Sequence, residues 1–534
     1  QCFASTPHPC DSMHPALEVA EIRNLICEAV ERDELKGLLA ALAQTCRVFF
    51  QPAIEALWAT VELGDWLRYT MPEDVWNAGL GSGTSRILSP RRDIVSQDWT
   101  RSVIYGPCIR DLTCPSSGGS ALDVAQALGA ILICPPPETC LVSLQSLTWH
   151  QNNLTAMRPF LGPKLTSLHI WSPCLEGNTD ENMAFLSEIS HRFSKTMRDI
   201  GLHFDTSDEE GPADLLSSAF ALYEDLRSAS AHVANQRTLL CLGALPRLQS
   251  LSTTFVTNLE DLATLPAEAP FFPALEALDL QSVTQAEAIL LLSTLTRSPL
   301  STLYLGLKEL VLNSAFESLV SSVRSCSASE LRLLDISSSD NGEAGDLWSL
   351  TLLCSPFFSS LTRISIKSHV GFDITNDSLG VLAQNLPHLV DLRLWTTDPG
   401  GKLVSLPCLA AFAEHCRSLR TLKIPLDARD APRASGLLSS RPFPRQLALR
   451  ELMVLKAGIE QPSDVAAYLN MLFGGLTKIT TTADDREETS YDGADPDLRT
   501  RNYWGEVHRW LPTLNVVRAL ERKLVEFETL EMRE

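Results

Sequence analysis

One spacing recurs along most of this chain: an aliphatic residue, a second three positions later and a third two positions after that. Copies lie at Leu165-Leu168-Ile170, Met197-Ile200-Leu202, Leu275-Leu278-Leu280, Leu300-Leu303-Leu305, Leu331-Leu334-Ile336, Leu361-Ile364-Ile366, Leu389-Leu392-Leu394, Leu419-Leu422-Ile424 and Leu449-Leu452-Val454, with weaker copies at Leu144-Leu147-Trp149, Leu248-Leu251 and Leu476-Ile479. From Leu275 onward the first residues of successive copies lie 25, 31, 30, 28, 30, 30 and 27 positions apart. Such a rhythm indicates stacked units of one type.

The segments between the copies have helical periodicity. These segments are Gln285–Leu295, Ala315–Val323, Asp377–Leu386, Leu406–Cys416 and Ser463–Phe473. Each unit is therefore predicted to be one short strand followed by one helix. A strand with so few inward leucines cannot bury its face alone, so neighbouring units must stack. The sequence predicts an α/β fold, a leucine-rich-repeat solenoid with a curved parallel sheet and helices on its convex side.

The chain is predicted to have several segments. They are a disordered tail (1–12), a helical N-terminal segment (13–58), a helical connector with atypical first repeats (59–140), leucine-rich repeats (141–482), an acidic loop (483–498) and a C-terminal capping helix (499–534). The 51 positions from Met197 to Leu248 exceed one repeat and predict an insertion or a degenerate repeat. In the last helix, an apolar stripe either covers the final repeat or binds a partner; it consists of Trp510, Leu514, Val517, Leu520, Leu524 and Phe527.

Composition limits the function classes. Lys plus Arg is 44 and Asp plus Glu is 65, so the formal charge of −21 repels nucleic acid. No apolar run is long enough for a transmembrane helix, and we expect no membrane partner. The first residues lack a secretory pattern, and a start at Gln1 is expected of a fragment. The 14 cysteines are scattered singly, which predicts reduced thiols in a cytoplasmic or nuclear protein.

The N-terminal segment 13–58 resembles an F-box, the adaptor-binding module of cullin-type ubiquitin ligases. The resemblance rests on Val19-Ala20-Glu21-Ile22, Leu25-Ile26, Asp33-Glu34-Leu35, the run Leu38 to Arg47, Phe49 and Ala56-Leu57-Trp58. Ala20 stands where the family commonly has proline, which would preset the first helical turn. A segment this short carries more apolar residues than it can bury alone, which independently implies a partner surface.

The resemblance implies a function and a set of contacts. The chain would bind a Skp-family adaptor and, through it, a cullin scaffold. The adaptor-binding residues would be Val19, Glu21, Ile22, Leu25, Ile26, Leu35, Leu38, Leu39, Leu42, Arg47 and Trp58. An F-box followed by leucine-rich repeats is similar to a fungal family of ligase substrate receptors. The repeats would then bind a target protein that the sequence does not identify.

Strand alternation nominates the target-binding face, because the residues between the inward leucines must point to the concave side. The candidates are His169, Trp171, Tyr304, Arg363, Lys367, Arg393, Trp395 and Lys423. The aromatic residues are candidate interface anchors, unless a loop of the same chain covers them. The four cations predict a positive strip for an acidic or phosphorylated ligand; the alternative is ordinary solvated charge paired with neighbouring acids.

Catalytic and metal-binding patterns are not found. Gly79 to Gly83 lacks the rest of a phosphate-binding loop, and we interpret it as a surface loop. Cys108 and Cys114, like Cys134 and Cys140, lack zinc-knuckle spacing. We therefore predict no catalysis, no cofactor and no metal. The leading function is a non-catalytic substrate receptor of a ubiquitin ligase. The alternatives are a repeat scaffold with a drifted F-box and, more weakly, a GTPase-activating repeat protein.

Overall fold

The structure, a computed structural model, describes most of the chain. The described residues are 14–32, 35–80, 86–116, 122–172, 179–204, 217, 219–257, 259, 271–309, 312–327, 330–338, 346–396, 402–432, 445–455, 458–481 and 496–531. They fall into two compact units, Gln1–Arg247 and Leu248–Glu534. The predicted tail (1–12) and the acidic segments 205–214 and 483–495 lie outside the described residues, and so do Asp33 and Glu34.

The first unit begins with three helices and continues into a sheet. Its helices are α1 (Ala20–Arg32), α2 (Lys36–Thr45), α3 (Arg47–Ala59), α4 (Leu63–Thr70), α5 (Thr100–Tyr105), α6 (Ala125–Ile133), α7 (Thr179–Phe193) and α8 (Gln236–Gly243). Its strands are β1 (Thr60–Glu62), β2 (Trp76–Leu80), β3 (Arg86–Pro90), β4 (Asp111–Cys114), β5 (Leu122–Asp123), β6 (Ser146–Trp149), β7 (Ser167–Ser172), β8 (Asp199–Phe204) and β9 (Ser228–Asn235).

The main sheet of this unit is parallel, in the order β1-β4-β6-β7-β8-β9. One ladder of inward side chains runs through Val61, Leu112, Leu147, Leu168, Ile200 and Ala229. All of these residues are buried. Strands β2, β3 and β5 form a separate small sheet. Beside it Trp66, which is fully buried, packs on Trp99 with ring centroids 5.8 Å apart.

The second unit repeats the same arrangement. Its strands are β10 (Ser250–Thr257), β11 (Ala277–Val283), β12 (Thr302–Leu307), β13 (Leu333–Ser338), β14 (Trp348–Ser349), β15 (Arg363–Ser368), β16 (Phe372–Asp373), β17 (Asp391–Thr396), β18 (Val404–Ser405), β19 (Thr421–Asp427), β20 (Glu451–Leu455) and β21 (Lys478–Thr481). The parallel order is β10-β11-β12-β13-β15-β17-β19-β20-β21, with β18 on β19 and a separate β14-β16 pair.

Helices follow most of these strands. They are α9 (Gln285–Thr294), α10 (Asn313–Ser327), α11 (Asn376–Asn385), α12 (Leu409–His415), α13 (Pro462–Leu472) and α14 (Pro496–Glu531). The start of α9 is fixed by a capping box: the Thr284 hydroxyl accepts from the Glu287 N–H at 3.2 Å, and the Glu287 carboxylate accepts from the Thr284 N–H at 2.7 Å. The five helices predicted in this part of the sequence are confirmed within a few residues. The α/β leucine-rich-repeat fold is thus present in both units.

The long interval from Met197 to Leu248 contains a complete repeat. Strand β9 carries the buried residues Ala229 and Ala231 where other repeats have leucine or isoleucine, and α8 follows it. Of the two alternatives left by the sequence, the degenerate repeat is therefore correct. Strands β1 and β4 were not predicted either; the second carries Leu112 and Cys114 at the inward positions.

The C-terminal helix α14 buries a different stripe from the predicted one. Its buried apolar residues are Trp504, Val507 and Leu511, and the His508 Nδ1 accepts a hydrogen bond from the Ile479 N–H of β21 at 3.3 Å. Trp510, Val517 and Leu520 are instead exposed. The helix packs on the last strand and on α13 through a stripe that is rotated from the predicted one by roughly a third of a turn, since successive residues are about 100° apart around the helix axis.

Candidate binding surfaces

The three N-terminal helices form a small core of their own. Its buried residues are Cys27, Leu39, Phe49, Ala53 and Ala56, one or more from each helix. Leu17, Ile26, Val30, Leu42, Ala43, Cys46 and Leu57 pack around them and remain partly exposed. Three of these five side chains, those of Cys27, Ala53 and Ala56, are small, so the core has little volume. It therefore cannot take in the remaining leucines of the segment.

Large apolar side chains remain exposed on these helices. The exposed fractions are 43% for Val19, 63% for Leu25, 50% for Leu35 and 47% for Leu38. Val48 and Phe50, which the sequence interpretation did not select, are exposed by 41% and 47%. Glu21 and Arg47 are exposed as well, and Ile22 is half-buried. We call Val19, Leu25, Leu35 and Leu38 the helical patch.

Two residues predicted to contact an adaptor have other roles. Leu39 is 1% exposed and belongs to the core, because it follows Leu38 by one position and so points to another side of α2. Trp58 stacks on Tyr105 of the following segment, with ring centroids 5.2 Å apart and planes 20° from parallel. Ile26 and Leu42 pack against the core and are only half-exposed. For Leu39 the prediction of an accessible contact residue is wrong.

The three helices join the sheet without a spacer. Helix α3 ends at Ala59 and β1 begins at Thr60. The Arg110 N–H donates to the Ala59 carbonyl at 2.9 Å, and Thr60 is paired with Asp111 of β4. The last helical residue is thus hydrogen-bonded to the segment that leads into the second strand of the sheet.

Each parallel sheet has a second face, which carries the residues between the inward leucines; we call it the open face. In the first unit, His169 Nε2 lies 2.9 Å from Asp199 Oδ2, and the Ser167 hydroxyl donates to the same oxygen at 3.0 Å. Burial opposes ionisation of Asp199, but the hydrogen bond and charge of His169 hold the pKa of this carboxyl below its usual value. Asp199 is therefore an ionised, partly buried carboxylate.

Trp171 lies in a stack of rings beside this pair. His203, its register partner on β8, stacks on it with centroids 3.7 Å apart, and His150 lies on it at 6.1 Å. Burial lowers the pKa of His150, and burial together with the neighbouring His169 and His232 lowers the pKa of His203 to about 4. Both rings are therefore neutral near pH 7. Trp171 stays 43% exposed, and its role as an interface anchor stays a prediction.

Gly201 makes room for this group. It is paired with His169 across the strands, and a Cβ at this position would collide with His169 Nδ1 and approach Ser230 Oγ to 2.7 Å. Residue spacing alone does not point to Gly201, Asp199 and Ser230 as a group. Only the register of β7, β8 and β9 brings them into one place.

The predicted positive strip on the second unit is present only in part. Arg363, Arg393 and Lys367 are exposed, but they are paired in register with Asp391, Ser365 and Trp395, so they lie in three different rows. Arg393 is already bound to its own strand neighbour, with Nε 3.0 Å and Nη2 2.9 Å from the Asp391 carboxylate.

Lys423 corrects the prediction most clearly. It is 0% exposed, and its ammonium lies over the ring of Trp395, which is itself half-buried. Strand alternation placed Lys423 on the correct face, but a large side chain on the neighbouring strand covers it. Lys423 therefore cannot attract a ligand directly, and Trp395 is less accessible than expected.

Among the described residues, no group of three or more His, Cys, Asp or Glu residues could hold a metal ion. Burial raises the pKa of the Cys408 and Cys416 thiols to about 12, so they are not nucleophiles near neutral pH. In the same part of the chain no helix is both long and apolar enough to cross a membrane.

Comparisons with known proteins add little beyond the fold. No family model and no curated protein matches the sequence. Among solved structures, the chain is similar to the "Crystal structure of Rad7 and Elc1 complex in yeast", at 12% identity and a TM-score of 0.32 over 90% of this chain and 94% of that one. It is also similar to the leucine-rich repeat-containing protein LegL7 from Legionella pneumophila, at 12% identity and a TM-score of 0.29 over 68% of this chain and 97% of that one. At these scores neither likeness bears on function.

Proposed function

We propose that this chain is a non-catalytic recognition subunit of a cullin-type ubiquitin ligase, located in the cytoplasm or nucleus. Its N-terminal helices bind a Skp-family adaptor, and the open face of its sheets binds a target protein. The observation that carries the proposal is the helical patch, which leaves Leu25, Leu35 and Leu38 about half exposed on helices with a very small core. Exposed leucines in such numbers mark an interaction surface.

The chemical contribution of such a subunit is proximity. Holding a target lysine near a charged ubiquitin raises its effective concentration and needs no catalytic side chain in this chain. A rigid link between the two binding surfaces is useful for this role. The direct passage from Ala59 of α3 into Thr60 of β1 supplies such a link within the first unit.

The test is binding of the full chain to a purified Skp-family adaptor, beside a Leu25→Asp, Leu38→Asp variant. The structure favours this pair over one that includes Leu42, because Leu42 packs on the core. We expect the variant to lose binding, since each charge must be desolvated in an apolar interface. A matched control is Ile104→Asp, Ile133→Asp, which alters two residues that are 63% and 84% exposed on other helices. That control is expected to bind the adaptor normally.

The alternative function is a repeat scaffold whose F-box no longer binds an adaptor. It would be supported by a folded wild type that does not bind, which would remove the ubiquitin mechanism from the proposal and leave target binding by the open face to be tested by itself. Equal loss in both double variants would instead show that adaptor binding does not depend on the helical patch.

A further inference from the structure

The charges on the open face are distributed unevenly along the chain. Strands β1, β4 and β6 to β9 of the first unit contain no lysine or arginine in their described ranges, and neither do β10 to β13 of the second. The acidic residues of these strands are Glu62, Asp111, Asp199, Asp279 and Asp335. On the strands of the main parallel sheet of each unit, basic residues begin only at β15; on the strands that follow, Arg393 is bound to Asp391 and Lys423 is buried. On β10 to β13 the open face is thus acidic.

Tyr304 lies at the centre of this acidic part. It is 40% exposed on β12 and is paired in register with Asp279 on β11 and with Asp335 on β13. Neighbouring strands lie about 4.8 Å apart, so the backbones of the two aspartates flank that of the tyrosine on opposite sides at about that spacing. The next residue on this face of β12 is Gly306, which adds no side chain. An exposed aromatic residue is therefore bordered by two acids.

The side chains that donate hydrogen bonds to these two acids are uncharged, although the charge of Arg393 acts on Asp335. Asp279 accepts hydrogen bonds from the Ser252 hydroxyl at 3.1 Å and from the Gln281 amide at 3.2 Å, both uncharged donors. Burial raises the pKa of Asp335; Ser365 and the charge of Arg393 oppose the rise, and the charge of Asp279 adds to it. Arg393 itself is held by Asp391. A further cation between the two carboxylates would be stabilised by both.

We propose that Tyr304, Asp279 and Asp335 form a subsite for an arginine side chain of the target protein. A guanidinium stacks on an aromatic ring and donates to carboxylates in a planar fork, so it fits an aromatic residue flanked by acids better than an ammonium does. The charge of −21 on the whole chain attracts a basic segment at long range. The inference deepens the proposed function and rests on it only for the statement that the open face binds a target. It reverses the ligand charge that the sequence predicted.

The experiment measures fluorescence anisotropy of labelled peptides added to the full chain at near-physiological salt. The probe is a short peptide of Arg-Gly-Ser repeats, compared with peptides in which lysine or glutamate replaces arginine. We expect the arginine peptide to bind, the lysine peptide to bind more weakly and the glutamate peptide not to bind. No binding of the arginine peptide, or equal binding of the lysine peptide, would overturn the arginine subsite.

Variants distinguish direct binding at the subsite from long-range attraction by the net negative charge of the protein. The double variant Asp279→Asn, Asp335→Asn is expected to bind the arginine peptide about tenfold more weakly, because charge-assisted hydrogen bonds are lost. The matched control, Asp377→Asn with Glu414→Gln, removes the same charge from exposed positions on α11 and α12 and should leave affinity nearly unchanged. Equal weakening by both pairs would reduce the effect to long-range attraction and refute the subsite.

The tyrosine is tested in the same way. Tyr304→Phe keeps the ring and should bind nearly as well as the wild type, whereas Tyr304→Ala should bind about threefold more weakly, the size expected of an exposed cation–π contact. Adaptor binding is measured on the same preparations and should not change in any of these variants. Loss of adaptor binding in the wild type would refute the ligase role alone, and loss of peptide discrimination would refute the subsite alone.

Discussion

The ammonium group of Lys423 lies over the indole ring of Trp395, and the lysine is completely buried there. The pair joins β19 to β17 on the open face of the second unit. A buried charge needs a partner that replaces part of its lost hydration, and an aromatic face does so electrostatically.

Removing the ring should destabilise this part of the sheet. We expect Trp395→Ala to lower the local free energy of unfolding by about 2 kcal/mol, because packing area and the contact with the ammonium are lost together. Trp395→Phe should retain most of the local stability, because a ring remains against the ammonium group. Hydrogen exchange of peptides that cover β17 and β19 would measure both changes; equal protection in the two variants would speak against the ring contact.

Neighbouring leucines on α2 should respond differently to the same change. Leu39→Ala is expected to lower the stability of the three-helix core by about 3 kcal/mol, because Leu39 is buried with Phe49 and Ala53. Leu38→Ala should change it by less than about 0.5 kcal/mol, since Leu38 is 47% exposed. Hydrogen exchange of peptides within α2 and α3 would distinguish the two; a similar loss in both variants would contradict the assignment of core and surface.

Gly201 should not tolerate a methyl group. Gly201→Ala would force His169 and Ser230 to move, and we expect it to lower the free energy of unfolding by about 2 kcal/mol. The control is Gly129→Ala in α6, where no atom lies within 4 Å of the added carbon and alanine favours the helix, by about 0.5 to 1 kcal/mol. Urea midpoints of the two variants should therefore shift in opposite directions from the wild type.

The ring stack predicts a pH dependence of stability. The pKa of His203 is lowered to about 4 from the ordinary value of 6.5, so the folded state disfavours the protonated ring. The stabilising contribution is complete above about pH 6.5 and is lost as the pH falls toward 4, because the unfolded chain takes up the proton first. His150 acts in the same direction, and His169 and His232 face the same ring.

The variant His203→Phe keeps an aromatic ring against Trp171 but has no group that can be protonated at this position. Urea midpoints measured between pH 7.5 and 4 should fall less steeply in His203→Phe than in the wild type. Identical pH profiles would show that His203 titrates normally in the folded protein.

Much of the fold could be predicted because leucine spacing reports directly which strand residues are buried. Strands β4 and β9 were not predicted, because cysteine and alanine occupy inward positions there. These residue types do not contribute to the leucine pattern on which the prediction rests. The same limit applies to sites. Alternation correctly placed Trp171 and Lys423 on the open face, but whether such a residue is exposed depends on the side chains of the neighbouring strand, which lies about 30 positions away in the chain.

The C-terminal helix illustrates a second limit. Two apolar stripes occur on α14, and the sequence interpretation chose the one containing Trp510 and Val517. The stripe that is buried, with Trp504 and Leu511, is nearer the start of the helix, where the chain meets β21 and α13. Periodicity finds apolar stripes, but contact with a surface far away in sequence decides which of them is covered.

Because no linker residue separates α3 from β1, the orientation of the N-terminal helices relative to the first strand depends on where α3 ends. One residue inserted near Ala59 would turn whatever these helices hold by about 100° around the α3 axis and move it by about 1.5 Å. Under the proposed function, the direction in which a bound adaptor points is therefore set by the length of a single helix, and insertions or deletions at that point could change it without altering either proposed binding surface.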